Sequence, residues 1–340
     1  MQIFLPLESW LILAPNTNLL PFLPSKILDG IGLSQQKEGN AFFLANTPTL
    51  DMLLNKYPHC TLQASGLAVG LPDGIAGNSE IGHLNIGGGR TIKSELVRIN
   101  ADIKNNSFTN NENLNRAILL AKSKNVKFHL IGLTSNGGTH SQLDHILQIL
   151  EQCGKLKVNT VLHCITDGRD SGVHDFKDNI VKILDLIKKY PTISIGTIGG
   201  RYYAMDRDKR WERINKAVDA LIHQGPSFTN PQDYINASYS NNVTDEFIIP
   251  AYNAINNKTK LEKNDVIFFA NFRQDRARQL SHMIKSSNLF DEKSKLWDLN
   301  LTLATIVQYD GINSDIVMYP PQKFDNMLGQ VIADAGLKRS

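Results

Sequence analysis

Ser79 is the one hydroxyl in a stretch, 74–90, that ends GNSEIGHLNIGGGR. Six of its seventeen residues are glycine, so little side chain is left to pack. Serine and asparagine cap helices because their oxygens accept the first free amide protons. A serine at a helix start also sits in a positive field that favours an anion on or beside it. Two readings follow: a serine that carries or touches phosphate, and a glycine-rich loop with a capping serine. The second chemical group is basic. Of twelve arginines, eight fall between Arg169 and Arg278: Arg169, Arg201, Arg207, Arg210, Arg213, Arg273, Arg276 and Arg278. Arginine grips phosphate and carboxylate bidentately, so the clustering points to a small anionic substrate; ordinary surface charge is the other reading.

Apolar runs at 126–133, 160–165, 193–198, 266–269 and 301–307 predict strands. Between them, 113–124, 143–153, 175–189 and 211–223 predict helices. Strands alternating with helices imply an α/β fold with a mostly parallel sheet. The segment 241–264 reads as polar and loop-rich. Four strands in succession are followed by chemistry: SNGGTHS at 135–141, DGRD at 167–170, GGRYYAMDRD at 199–208 and NFRQDRAR at 271–278. Ligands of open α/β sheets bind beyond the carboxyl ends of the strands, so these loops predict one site. Arg273 and Arg276 are three apart; on a starting helix they share a face and grip one anion. Asp29, ending a short apolar run before Gly30, is a metal-ligand candidate or a solvated turn residue.

The chain has 340 residues, 41% of them hydrophobic, and a net charge of +3. That is enough for two domains and too mild a charge for a nucleic-acid protein. Cys60, Cys153 and Cys164 have no metal spacing and are odd in number, which fits a reducing, cytoplasmic setting. The first 24 residues, broken by Pro6, Pro15, Pro21 and Pro24, make a poor signal peptide and no membrane span. Nucleotide loops, the G-x-S-x-G elbow and H-E-x-x-H are absent. His59, His163 and His223 read as structural or surface.

Taken together, 27–32, 38–41, 47–51, 64–73, 77–90, 129–141, 167–170, 200–208, 245–250 and 268–279 resemble the cofactor-independent (2,3-bisphosphoglycerate-independent) phosphoglycerate mutases. GNSEIGHLNIG and GRYYAMDRD are the most specific matches. The resemblance implies an alkaline-phosphatase-like domain, here in part, with an inserted α/β transferase domain. It divides the chain into 1–93, of which 1–25 is unlike the family, the insertion 94–320, and a return at 321–340. It implies interconversion of 3-phosphoglycerate and 2-phosphoglycerate in glycolysis by a monomer, through phosphate carried on Ser79. His140, Arg169, Asp170, Arg201, Arg207, Arg273 and Arg276 would bind substrate. Asp29 and Ser79 would touch two divalent cations, Mn²⁺ or Mg²⁺, with no bisphosphoglycerate required.

The chain also departs from the family. Pro21 and Pro24 stand where the family has a continuous strand. The family extends further after the region matching 323–336 and there carries a substrate lysine and most metal ligands. The expectation is an inactive or impaired mutase, or a non-catalytic phosphoglycerate-binding remnant. Asn136 stands where the family has Asp, and 171–173 also differs.

Overall fold

A computed structural model describes Ser9–Trp10, Ser34 and residues 36–337. Asp29, Pro21 and Pro24 lie outside the described residues. The chain divides into two compact units, Met1–Asn100 with Lys323–Ser340, and Ala101–Gln322.

In the first unit, β1 (Ser9–Trp10) pairs antiparallel with β2 (Leu62–Gln63). Helix α1 (Ala41–Leu44) is capped by Asn40, and α2 (Pro48–Lys56) opens on a proline, tolerated where no helical partner awaits its N–H. Helix α3 (Ser79–Gly88) is short and glycine-rich, so its ends carry the specification. Asn78 Oδ1 accepts the Ile81 N–H at 3.0 Å, and Gly89 closes the helix in the left-handed conformation at φ 59°. The capping residue is therefore Asn78, and Ser79 is the first residue of the helix. Val69, Leu71 and Ile81 form a small core with Leu84 against it. The chain enters α3 tightly: a Cβ on Gly77 would lie 1.8 Å from the Ala64 carbonyl oxygen, so no side chain fits there.

After α4 (Glu95–Lys104) and α5 (Glu112–Ser123), the second unit is built on an eight-stranded sheet. Its strands are β3 (Phe128–Leu133), β4 (Thr160–Thr166), β5 (Ile193–Gly200), β6 (Ser227–Phe228), β7 (Ala251–Asn253), β8 (Val266–Phe269), β9 (Thr302–Val307) and β10 (Ile316–Tyr319). They are ordered β10-β9-β8-β3-β4-β5-β7-β6, and all pairs are parallel except β5 with β7. β3, β4 and β8 are buried along their whole length, as continuous apolar runs covered on both faces should be. The helices are α6 (Leu143–Lys155), α7 (Phe176–Lys189), α8 (Arg201–Ala204), α9 (Trp211–Leu221), α10 (Pro231–Ser240) and α11 (Arg278–Ile284).

The five expected strands and four expected helices of this unit form, shifted by a residue or two at their ends. β6, β7, β10 and α10 were not foreseen. β6 and β7 are two and three residues long, too short for a periodicity to register, and β7 lies inside the segment read as loop. α10 is marked by its ends, an Asn230 cap and Pro231 at its start, more than by an apolar stripe.

One polar chain crosses the sheet's interior. Thr197 Oγ1 lies 3.0 Å from His163 Nδ1, His163 Nε2 lies 2.9 Å from His129 Nδ1, and His129 Nε2 lies 3.0 Å from Asp265 Oδ2. Donation from Thr197 toward Asp265 satisfies every member with both rings neutral. Burial lowers both histidine pKa values and keeps that state. His163 is thus structural, while His59 is exposed and His223 stacks on Tyr252.

Candidate anion-binding site

From β3 the chain steps through β4 to β5, then returns across β3 to β8 and on to β9. The order of strands reverses between β3 and β8, the place where open α/β sheets leave a crevice. The loops after β3 and β8 meet there: the His140 carbonyl accepts the N–H groups of Phe272 at 2.9 Å and Arg273 at 3.4 Å. The loops after β4 and β5 close the other side.

Arg201, the first residue of α8, is the buried centre, 3% exposed. One nitrogen, Nη1, donates to Asp167 Oδ1 and to Asp170 Oδ2, each at 2.6 Å. Asp167 also accepts Ser135 Oγ at 2.5 Å and the N–H groups of Arg169 and Asp170 at 3.2 and 3.1 Å. Burial pushes the Asp167 carboxyl up, but these donors win and hold it below the usual range. Arg207 and Arg273 rest on Asp275, each at 3.3 Å, and Arg169 on Glu246 at 3.4 Å; all three arginines are more than half exposed. Arg276 donates to the Met205 carbonyl at 3.1 Å. Burial lowers its pKa, and the positive charges of Arg207, Arg201 and Arg169 press it further down.

His140 is buried, with Nε2 3.8 Å from Asp170 and Nδ1 3.4 Å from Asp275. Burial and then Arg201 lower its pKa to about 4, so the ring is neutral near pH 7. Five guanidiniums, of Arg169, Arg201, Arg207, Arg273 and Arg276, face the carboxylates of Asp167, Asp170 and Asp275, with Glu246 beside Arg169. The arginines outnumber the carboxylates by one, and their several N–H donors suit a small anion.

All seven residues expected to bind substrate thus lie around the strand ends of the second unit. One local expectation is corrected. Arg273 and Arg276 do not share a helical face, because α11 begins only at Arg278; Arg276 lies in the turn before it and Arg273 in the irregular chain ahead of that turn. Asp167, Asp275 and Ser135 were missed as site residues, although each sits in the same short loop as a basic residue that was named. Asn136 donates to Asn179 of α7 at 2.9 Å and so serves the fold of its loop.

Ser79 lies in the first unit, exposed at the start of α3. Its Oγ is 3.3 Å from His83 Nδ1, but that nitrogen is 2.8 Å from the Ser79 carbonyl. A carbonyl can only accept, so in that contact Nδ1 carries the proton and cannot take one from the hydroxyl. His83 is therefore not a base toward Ser79 through Nδ1. Among the described residues no group of three or more His, Cys, Asp or Glu side chains gathers as a metal-ligand set. No described helix is long and apolar enough to cross a membrane.

Backbone approach sets the position of Arg201. A Cβ on Gly200 would lie 2.1 Å from the Glu246 carbonyl oxygen and 2.9 Å from that of Asp245. Gly200→Ala is expected to destabilise the chain by more than about 3 kcal/mol, since backbone rather than a flexible side chain must move. Urea denaturation against the parent chain measures this.

Residues 99–311 match the family model described as the BPG-independent PGAM N-terminus. A protein of Mycoplasmoides gallisepticum is 47% identical over 320 residues, spanning 92% of this chain and 63% of its own length. One of Mycoplasma pneumoniae is 44% identical over 317 residues, spanning 92% and 62%. Both are named 2,3-bisphosphoglycerate-independent phosphoglycerate mutase. The crystal structure of Leishmania mexicana phosphoglycerate mutase at low cobalt concentration superposes with a TM-score of 0.70 at 26% identity, covering 92% of this chain and 60% of that one. The fold is accordingly of the alkaline-phosphatase-like α/β class. The chain spans somewhat over three fifths of the length of these curated relatives. By sequence and by fold, the chain belongs to the 2,3-bisphosphoglycerate-independent phosphoglycerate mutase family.

Proposed function

We propose that this chain binds 3-phosphoglycerate and 2-phosphoglycerate in the arginine cluster of its second unit and belongs to a glycolytic isomerase that interconverts them. The observation that carries the reading is the buried Arg201, held by Asp167 and Asp170, with four further arginines and His140 around it. Phosphate and carboxylate on one small molecule offer the two anionic ends such a cluster can hold. In this reading Ser79 accepts the phosphoryl group: its Oγ–P bond forms, the bond from phosphorus to the 3-oxygen breaks, and the proton lost from the serine hydroxyl is balanced by one taken up at the freed 3-oxygen. The reverse transfer places phosphate on the 2-oxygen. The start of α3 supports the role, because free amide groups and the helix field favour the added charge. Arginines retain the glycerate between the two steps, which limits loss of phosphate to water.

Domain roles follow the same reading: a phosphatase-like part carrying Ser79 and a transferase insertion holding substrate. The cations implied by the family, Mn²⁺ or Mg²⁺, would meet Ser79 and Asp29. The described residues alone do not form a site for them, and neither bisphosphoglycerate nor nucleic acid is required. We place the protein in the cytoplasm as a monomer.

Calorimetric titration of the 340-residue chain with 3-phosphoglycerate tests the proposal. Saturable binding that weakens as salt rises is the expected result; absence of binding overturns it. Turnover is read separately, as formation of 2-phosphoglycerate and label on Ser79 from ³²P-substrate, lost in Ser79→Ala. Binding with neither signal would favour a non-catalytic phosphoglycerate-binding role.

A further inference from the structure

The contact between His140 and Asp275 goes unused by the reading above. His140 Nδ1 and Asp275 Oδ1 are both buried and 3.4 Å apart, and neither atom is in a hydrogen bond among the described residues. The backbone that carries them is fixed. The His140 carbonyl accepts the N–H groups of Phe272 and Arg273, which ties the loop after β3 to the turn that bears Asp275. The groups facing the ring are Asp170 at Nε2, Asp275 at Nδ1, and the guanidiniums of Arg201 and Arg273. The carboxylate is oriented from outside: Arg207 Nη1 lies 3.3 Å from Oδ2 and Arg273 Nε lies 3.3 Å from Oδ1.

A neutral imidazole carries one proton, and two nitrogens compete for it. A bare Nδ1 lone pair facing a carboxylate oxygen is repulsive, and low local dielectric makes it more so. A proton on Nδ1 turns that repulsion into an N–H···O⁻ contact. Hydrogen bonds of this kind are often long in the empty site and tighten when ligand arrives. Asp170 Oδ2 is already engaged by Arg201 at 2.6 Å, so it competes weakly for a proton on Nε2.

The geometry points to Asp275 as a positioning residue that sets the tautomer of His140, holding the proton on Nδ1 and leaving Nε2 as an acceptor for a hydroxyl of the bound ligand. This deepens the phosphoglycerate reading and rests on it only for the identity of that ligand. An anion arriving between Arg207 and Arg273 draws both toward itself, and Asp275 then turns its charge to the His140 N–H. Glycerate offers the matching donor, a hydroxyl beside its carboxylate.

Long-range ¹H–¹⁵N correlation spectra of the ¹⁵N-labelled 340-residue chain at pH 7.5 test this, with the His140 ring assigned by its loss in His140→Gln. The expected spectrum has a protonated Nδ1 and a bare Nε2. In Asp275→Ala the ring shifts toward the Nε2–H form that an isolated imidazole prefers. A protonated Nε2 in the parent chain overturns the proposal even if the variant fails to fold, and so does an unchanged Nδ1–H in a folded Asp275→Ala. With 3-phosphoglycerate added, the His140 Nε2 resonance is expected to move. Binding seen by calorimetry without that movement overturns the acceptor role. No binding at all overturns the phosphoglycerate reading instead, and the ligand-free spectra then decide the role of Asp275 alone.

Discussion

Replacing Arg201 with methionine is expected to cost about 3–5 kcal/mol of stability and to abolish binding of 3-phosphoglycerate. The side chain is 3% exposed and its two partners, Asp167 and Asp170, are held by nothing else of positive charge within hydrogen-bond reach among the described residues. Methionine fills much of the volume but leaves the Asp167 carboxylate buried, with only Ser135 and two backbone N–H groups against it. Removing one member of a buried pair costs more than the pair contributes, because the desolvated charge remains. A second change separates the two effects. Asp167→Asn added to Arg201→Met removes the stranded charge and should recover at least about 1 kcal/mol of the loss, the coupling expected of residues in contact. Binding should stay absent, because no guanidinium returns. Urea denaturation reads the first quantity and calorimetry the second. Full recovery of binding in the double variant would show that Arg201 serves the fold alone.

Acid is expected to destabilise this protein from about pH 6.5 downward, before most of its carboxylates titrate. His145, at the start of α6, is fully buried between Phe108 and Phe272, and burial lowers its pKa to about 4. His140 is lowered to about 4 by burial and Arg201, and His129 and His163 are lowered by burial. In the unfolded chain each takes a proton near pH 6.5. Between pH 6.5 and 4 the unfolded state therefore binds more protons at these four rings than the folded one, so their contribution falls as pH falls, while Asp245, raised to about 6 by burial, takes its proton first in the folded state and offsets part of the loss. For His145 the loss approaches about 3 kcal/mol by pH 4. Asp167 and Asp265, held below the usual carboxylate range, add a further loss only under their unfolded value of 3.8. Urea midpoints taken from pH 7.5 to 4.5 should fall steadily, and His145→Leu should flatten the curve. A flat profile over that range in the parent chain would show that these rings accept protons without unfolding.

Much of the second unit was legible because β3, β4 and β8 at its centre are buried along their whole length. A strand covered on both faces is a continuous apolar run, as in β4 and β8, and its helices carry an apolar stripe at the helical period. β7 was not legible because its three residues owe their state to pairing with β5 and β6. Helix α3 shows the same limit from the other side. Its glycines favour no element, and it exists through a cap at Asn78, a left-handed end at Gly89 and a close approach at Gly77.

The sequence by itself determined that His, Arg and Asp side chains follow four of the strands, and hence that chemistry gathers at one edge of a parallel sheet. It also carried the family, through long specific motifs. It could not rank the arginines, which are alike as letters. Tertiary structure made Arg201 the buried centre, with the Gly200 backbone packed against 245–246 and the guanidinium held by Asp167 and Asp170, and left Arg273 more than half exposed. It also put Asp275 against His140, through a strand order that returns from β5 past β3 to β8. Burial and opposition of charge depend on that order, and neither is written in local spacing.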